Sequence, residues 1–374
     1  MSTTLISLLL LLSTTATATA TVSSDITALR AIKSAINPAT IPSYTCLHSW
    51  DFTSDPCSPP HVTHFLCGLS CSGNRVTQLT LDPAGYAGTL PPLISQLTQL
   101  ITIDLSDNRF HGPIPNSLFF LHNLQTLILG SNSFSGFIPP AISNLKNLQT
   151  LDMSHNSFTG SLPNSLTQLT QLTRLDLSFN KLTGPIPKLP KNLIQLALKS
   201  NSLSGYLTKQ SFTESTQLEV IELSDNSLTG TIPGWFFLTP STQQINLANN
   251  SFTGLVILKP VNSTLVAVNL GFNKLYGYLP ATFPAYSMLA SLSLSYNKLR
   301  GRIPSEYSKI SRLFLEGNLL IGLPPKELFS RKISITGSLG DNCLKSCPVW
   351  SELCVKSQKP FSICQKAYQG KVKQ

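Results

Sequence analysis

The sequence predicts an α/β repeat solenoid closed at each end by a disulfide-stapled cap. Three observations predict it. A nine-residue pattern, Leu-x-x-Leu-x-Leu-x-x-Asn, recurs along most of the 374 residues. Its terminal asparagines fall at Asn108, Asn132, Asn156, Asn180, Asn201, Asn226, Asn250, Asn273, Asn297 and Asn318, with spacings of only 21 to 25 residues. The eight cysteines all lie outside that stretch, four before it and four after. Self-similarity at such a period means stacked turns sharing one core, so the length does not imply two or three separate domains.

Each position of the pattern has a physical task. Ile103, Leu127, Leu151 and Leu175 hold the fourth position, and Leu105, Leu129, Met153 and Leu177 follow two residues on. Alternation of this kind on a short strand points both side chains to one side, into the coil. The asparagine turns inward at a corner, where its amide satisfies N–H and C=O groups that a tight bend leaves unpaired. A glycine stands four residues later, as at Gly112, Gly136 and Gly160, and a proline often follows, as at Pro115 and Pro163. Proline there bars a long α-helix. A degenerate copy from Val76 to Leu81, with Ala84 at the corner, raises the expected count to about eleven turns. A single turn buries too little apolar surface to offset its ordering entropy, so stability comes from stacking and from capped ends. The first cap is expected to open on a helix from Asp25 to Ile36. Ile26, Leu29, Ile32 and Ile36 share one face, Ser24 or Asp25 caps it, and Asn37-Pro38 stops it.

The expected organisation is a signal peptide over 1–20, an N-terminal cap over 21–75, repeats over 76–322 and a Cys-rich basic cap over 323–374. Leu5 to Leu12 is apolar apart from Ser7, and Ala16-Thr17-Ala18 and Ala18-Thr19-Ala20 fit a cleavage pattern. No later stretch is long and apolar enough for a membrane helix, and the polar C-terminus does not read as a lipid-anchor signal. The expected location is secreted, in the extracellular space or cell wall. Cys46, Cys57, Cys67 and Cys71 in one cap, and Cys343, Cys347, Cys354 and Cys364 in the other, are expected as disulfides, with three pairings open in each. Net charge is +10. Nine Lys/Arg against three Asp/Glu between Lys326 and Gln374 place +6 of it in the last 49 residues. Such a tail suits an anionic cell-wall polysaccharide or simple solubility, and no nucleic-acid reading module accompanies it.

The cap sequence Leu29-Arg30-Ala31-Ile32-Lys33, Asn37-Pro38, Ser49-Trp50 and Asp55-Pro56-Cys57 resembles the N-terminal domain of plant-type leucine-rich-repeat proteins. The Gly-x-Ile/Leu-Pro step of the repeats is similar to the same class. The resemblance covers nearly everything after the leader. It implies a right-handed leucine-rich-repeat solenoid with a concave parallel β-sheet and a second short sheet at the glycine step. Within the class the chain looks like a receptor-like ectodomain without a kinase, and its ten full repeats and four cysteines per end also resemble polygalacturonase-inhibiting proteins. It departs from those inhibitors in lacking a cysteine near the start of the first helix and adjacent cysteines later. The Arg-x-Arg pair that some peptide receptors use has no match on the concave strands, since Arg300 and Arg302 lie past the corner.

Outward positions of the concave strands carry eight acids (Asp104, Asp107, Asp152, Asp176, Glu219, Glu222, Asp225, Glu316) against three bases (Arg174, Lys199, Arg312). An acidic groove in a basic protein favours a basic or neutral protein or peptide over a polyanion. The expected ligand lane is Asp152, His155, Arg174, Phe179, Lys199, Glu219, Glu222, Asp225, Phe272 and Tyr296. The Leu-Asp-Leu-Ser acids also have a reading as mere sheet-surface order. Phe272 and Tyr296 sit on adjacent turns, with rings expected about 5 Å apart. They are interface anchors or a mutual stack. Sequons begin at Asn249 and Asn262, the first on the concave lip and the second on an outer segment.

No catalytic group, cofactor or metal site is expected. Cys57, His61, His64, Cys67 and Cys71 miss zinc spacing, and Gly68 to Gly73 only approaches a nucleophile elbow. His155 beside Asp152 has no nucleophile near it. The expected function is recognition of an extracellular protein or peptide, with a membrane receptor kinase as a further partner. The alternatives are inhibition of a microbial wall-degrading enzyme and a wall-anchored structural role.

Overall fold

The computed structural model describes residues 20–57, 68–330, 335–348 and 350–368. The expected leader, save Ala20, lies outside the described residues, as do His61, His64, Cys67 and the last residues of the basic tail.

Three pieces make each turn. Alternating residues give a short strand, as in Thr150–Asp152, where Leu151 is buried between two outward side chains. Stacked turn upon turn, these strands form a 13-stranded sheet from Leu69–Ser72 to Thr336–Ser338. Its first pair, Leu69–Ser72 against Arg75–Thr80, is an antiparallel hairpin covering the edge of the first repeat strand. Every later pair is parallel and in register, one buried Leu, Ile or Val beside the next, until the last turn sets Leu313 beside Gly337. Past the corner, a second extended segment builds lateral sheets of eight strands (Ala87–Gly88 to Ser251–Leu255) and four strands (Tyr276–Tyr278 to Cys343–Leu344). In most turns a proline then leads into a single 3-10 turn, and one turn has a short α-helix, Lys209–Phe212. Pro139, extended at φ −70° and ψ 146°, precedes Pro140–Asn144. Two outer segments, 185–194 and 256–266, have no helix at all, and Asn262 of the second sequon is exposed in the latter.

The interior is a stack of columns. Leu151, Leu175, Leu196 and their counterparts are fully buried. Phe110, Phe134 and Phe158 follow one another with ring centres 6.0 and 6.4 Å apart. Beside them runs a ladder of amides. The Asn180 side chain donates to the Met153 carbonyl of the preceding turn at 3.0 Å and to Leu177 and Ser178 of its own. Its oxygen accepts the Phe158 N–H at 2.9 Å. The same bonds recur at every corner asparagine from Asn132 to Asn342, each tying its turn to the one before.

That last residue lies in the stretch expected as a purely Cys-rich cap. The strand Thr336–Ser338 adds one more turn, with Gly337 where the pattern has leucine and Asn342 at the corner. Absence of the leucine hid it from the periodicity.

The N-terminal helix runs Ser23–Ser34, two residues ahead of the expected start, and no side chain caps it. Asp25 has another task. It is fully buried, paired with the Arg75 guanidinium at 3.0 Å and accepting the Val76 N–H at 2.9 Å. The carboxylate thus ties the helix to the first repeat strand instead of closing the helix end. Disulfides join Cys57 to Cys71, Cys343 to Cys364 and Cys347 to Cys354, and Cys46 is disulfide-bonded as well. With Cys57 and Cys71 bonded to each other, the weighed zinc set loses two of its ligands.

Asn180→Ala strands buried backbone groups on two turns and should cost about 2–4 kcal/mol in chemical denaturation. Asn180→Asp keeps the shape but cannot donate to Met153, so it should destabilise by a similar amount. A loss below about 1 kcal/mol in both variants would show that the ladder is not what joins the turns.

Candidate concave recognition site

Two rows of outward side chains run along the concave sheet, and their backbones give them different characters. In many turns the last strand position faces the corner with a side-chain oxygen that accepts an N–H two residues on, whereas Ile128, Ala197 and Phe314 offer none. Asp104 accepts from Ser106, Asp152 from Ser154 and Asp176 from Ser178, each at 3.0 Å. Glu222 does so from Ser224 at 3.0 Å, Asn246 from Ala248 and Asn269 from Gly271, both at 3.1 Å. Asparagine serves as well as a carboxylate, so these side chains order the bend. Glu222 is further held by the Asn246 amide at 2.8 Å.

The second row precedes each corner asparagine, and there the backbone is left-handed. Asp107, Ser131, His155, Phe179, Ser200, Asp225, Asn249, Phe272 and Tyr296 all have φ between 51° and 56°. The region favours Asn, Asp and Gly and penalises an aromatic residue by roughly 1–2 kcal/mol. Along this lip His155 stacks on Phe179 with centres 4.1 Å apart, and Lys199 lies over the Phe179 ring at 5.6 Å. Lys199 pairs with Asp225 at 3.8 Å, and Asp225 accepts from the Asn249 amide at 2.6 Å. Farther on, Phe272 stacks on Tyr296 at 4.4 Å. Gly317 occupies the next lip position, and the Tyr296 ring lies 2.5 Å from where a Cβ there would stand. Lys356 reaches the lip from the C-terminal cap, 2.7 Å from Glu316 and 3.3 Å from the Tyr296 hydroxyl. Glu316, then Tyr296, raise the pKa of its ammonium. Sixty residues separate Lys356 from Tyr296, and nothing in the repeat pattern signals their meeting.

The expected lane therefore divides. His155, Phe179, Lys199, Asp225, Phe272 and Tyr296 form the lip. Asp152 and Glu222 belong to the corners. Arg174 and Glu219 lie on the sheet floor, and among the described residues no side-chain hydrogen bond or ion pair holds either. The three acids Glu219, Glu222 and Asp225 do not make one free patch, because two of them are already bonded.

A feature absent from the expected lane lies between them. The floor dips into a hollow of about 360 Å³ bordered by Val220, Glu222, Gln244, Asn246, Ala267, Asn269, Ser291, Ser293 and Phe314. Small side chains make the depression, since Ala267, Ser291 and Ser293 stand where other turns carry threonine, arginine or aspartate. Glu219 stands on the same turn as one end of the hollow, and Arg312, exposed beside Phe314, stands at the other.

A parallel sheet read turn by turn, an inward asparagine at each corner and a stapled N-terminal cap define a leucine-rich-repeat protein. The chain belongs to that family. Models described as leucine rich repeat match 99–121, 122–182, 191–252 and 288–310, and the leucine rich repeat N-terminal domain matches 22–63. A solved plant peptide hormone receptor, RGFR1 in complex with RGF2, is 31% identical with a TM-score of 0.64, covering 69% of this chain and 42% of its own. A plant ice-binding protein is 25% identical with a TM-score of 0.62, covering 91% and 99%. The receptor-like kinase TMK4 of Arabidopsis thaliana is 31% identical over 105 residues, 28% of this chain and 10% of its own length. The chain thus spans less than half of these two receptors. Among the described residues no helix is long and apolar enough to cross a membrane.

Phe272→Asn removes a stack worth about 0.5–1.5 kcal/mol but relieves left-handed strain of about the same size. Its denaturation midpoint should therefore stay within about 1 kcal/mol of the parent. A loss above about 2 kcal/mol would make the ring a structural element rather than a surface kept for contact.

Proposed function

We propose that this chain is an extracellular recognition protein that holds an extended peptide or a segment of a partner protein along the concave floor between Val220 and Phe314. The hollow there carries the reading. It is lined by amides and hydroxyls that read a backbone, and its two ends differ in sign. Glu219 receives a basic side chain, and Arg312 receives a carboxylate, so a bound segment has one direction. The rings of Phe179 on one side and Phe272 with Tyr296 on the other supply apolar contact from the lip, where Phe179 is 40% and Phe272 56% exposed. Retention of aromatic residues in left-handed geometry, at positions where Gly317 and Asn249 are also accommodated, supports a role other than folding.

Family membership and the likeness to a peptide hormone receptor agree with binding, and no reaction is assigned to the chain. Signalling or defence is the setting this reading suggests. A receptor kinase would be engaged as a second partner, with the ligand between them. The exposed Asn249, if glycosylated, confines contact to the floor and the distal lip.

The experiment is capture of extracellular peptides and proteins on the immobilised chain, identified by mass spectrometry. Ala267→Trp, which fills the hollow, and Glu219→Lys with Arg312→Glu, which reverses its ends, should each abolish the specific partner while leaving the denaturation midpoint unchanged. Retention of the same partner by both variants would contradict the reading. A captured wall-degrading enzyme whose activity falls on binding would establish inhibition instead.

A further inference from the structure

The lateral sheets carry the opposite charge. Their outward side chains come from three positions of each turn: directly after the corner asparagine, two residues on, and directly after the glycine. From Arg109 to Lys345 no Asp or Glu occupies any of these positions. Cations do, and five of the seven gather at one end, as Lys274, Lys298, Arg300, Arg302 and Lys345, with Arg109 and Lys181 apart from them. Charge is thus segregated between two faces of one solenoid.

Aromatic rings are placed on this face at a regular interval. Phe137, Tyr206 and Tyr278 each follow the glycine of their turn, three turns apart. At about 4.8 Å per strand, that separates them by about 15 Å. Each ring lies against the glycine of the following turn (Gly160, Gly230 and Gly301), within 2.3, 2.4 and 2.6 Å of where a Cβ would be. The glycines also have φ of 76°, 85° and 84°, so no other residue fits easily beneath the rings. Even so, the rings remain 72%, 65% and 79% exposed. Hydroxyls pave the ground between them, with Ser135, Thr159, Thr183, Ser204, Thr229 and Thr253 in one column.

At the basic end ring and cation are neighbours. Tyr276 is in register with Lys298, and Tyr278 with Arg300. No ion pair engages Lys298, Arg300 or Arg302 among the described residues. The Tyr368 hydroxyl of the C-terminal helix accepts the Gly301 N–H at 3.0 Å and donates to Leu319 at 2.6 Å, closing the track beside a cavity of about 600 Å³ rimmed by Arg302 and Lys345.

We propose that this lateral face binds an acidic polysaccharide running along the solenoid axis. Its sugar rings lie on Phe137, Tyr206 and Tyr278, its hydroxyls meet the serine and threonine column, and its carboxylates meet Lys298, Arg300 and Arg302. Rings about 15 Å apart are too sparse to stack successive bases, which sets a single-stranded nucleic acid aside. A non-sugar polyanion would use the cations but not the rings. The surface is separate from the concave floor, so a peptide and a polysaccharide can be held together. It also differs from the basic tail, because its groups are fixed on sheet strands or directly after them.

The test is affinity electrophoresis of the full chain in gels containing polygalacturonate, dextran or polyglutamate, at two salt concentrations. Retardation by polygalacturonate well above that by either control is expected. Lys298→Glu with Arg300→Glu should weaken it at least tenfold. Tyr278→Ala should weaken polygalacturonate binding by about three- to tenfold, as loss of a ring contact does, and leave polyglutamate unchanged. Tyr278→Phe should restore it, and denaturation midpoints should confirm that all variants are folded. No retardation, equal retardation by dextran or polyglutamate, or indifference to either substitution would overturn the proposal.

Discussion

A single buried amide per turn joins this protein into one body. Each corner asparagine spends its two donors and its acceptor on the backbone of its own turn and of the turn before, from Asn108 through Asn342. Leucine columns supply the apolar burial, but apolar contact alone does not fix how one turn sits on the next. The amide does, because its bonds are directional and its partners are buried carbonyls with no water to replace it. Repetition of that bond in register is why the strands pair one buried aliphatic residue to the next along the sheet.

The same corner shapes the binding surface. Turning the chain inward at the asparagine forces the preceding residue into left-handed geometry, which lifts its side chain to the lip. In many turns the last strand position also gives the bend an acceptor, although the turns of Ile128, Ala197 and Phe314 form without one. Much of the acidity read from the concave face therefore serves the fold, as Asn246 and Asn269 show by doing the work of Asp152 without a charge. What remains for a ligand is narrower and more directional: Glu219, Arg174 and Arg312, unengaged among the described residues, the lip rings, and the hollow left by small residues.

Periodicity made the architecture legible, because leucine and asparagine at those spacings admit few other structures. It failed where the pattern residue was missing, at Gly337, and where a charged residue had a distant partner, as with Asp25 and Arg75. The stacking of Phe272 on Tyr296 was legible from their adjacent turns, and the disulfide pairing was not. The floor hollow was hidden because small residues are silent in a pattern of large ones. Lys356 was hidden because the cap's path is set by disulfides, not by repeat spacing. The lateral track was present in the sequence as a column after each glycine. It became readable only once the rings were seen to lie against the glycine of the next turn.

The most direct measurement is hydrogen exchange across the whole chain, with and without a captured concave partner. The account predicts that protection rises in the segments 219–222, 243–246, 266–269, 290–293 and 311–314, while the lateral strands around Tyr276–Tyr278 and Lys298–Gly301 are unchanged. Protection confined to the lateral strands or the caps, with the floor unaltered, would contradict it.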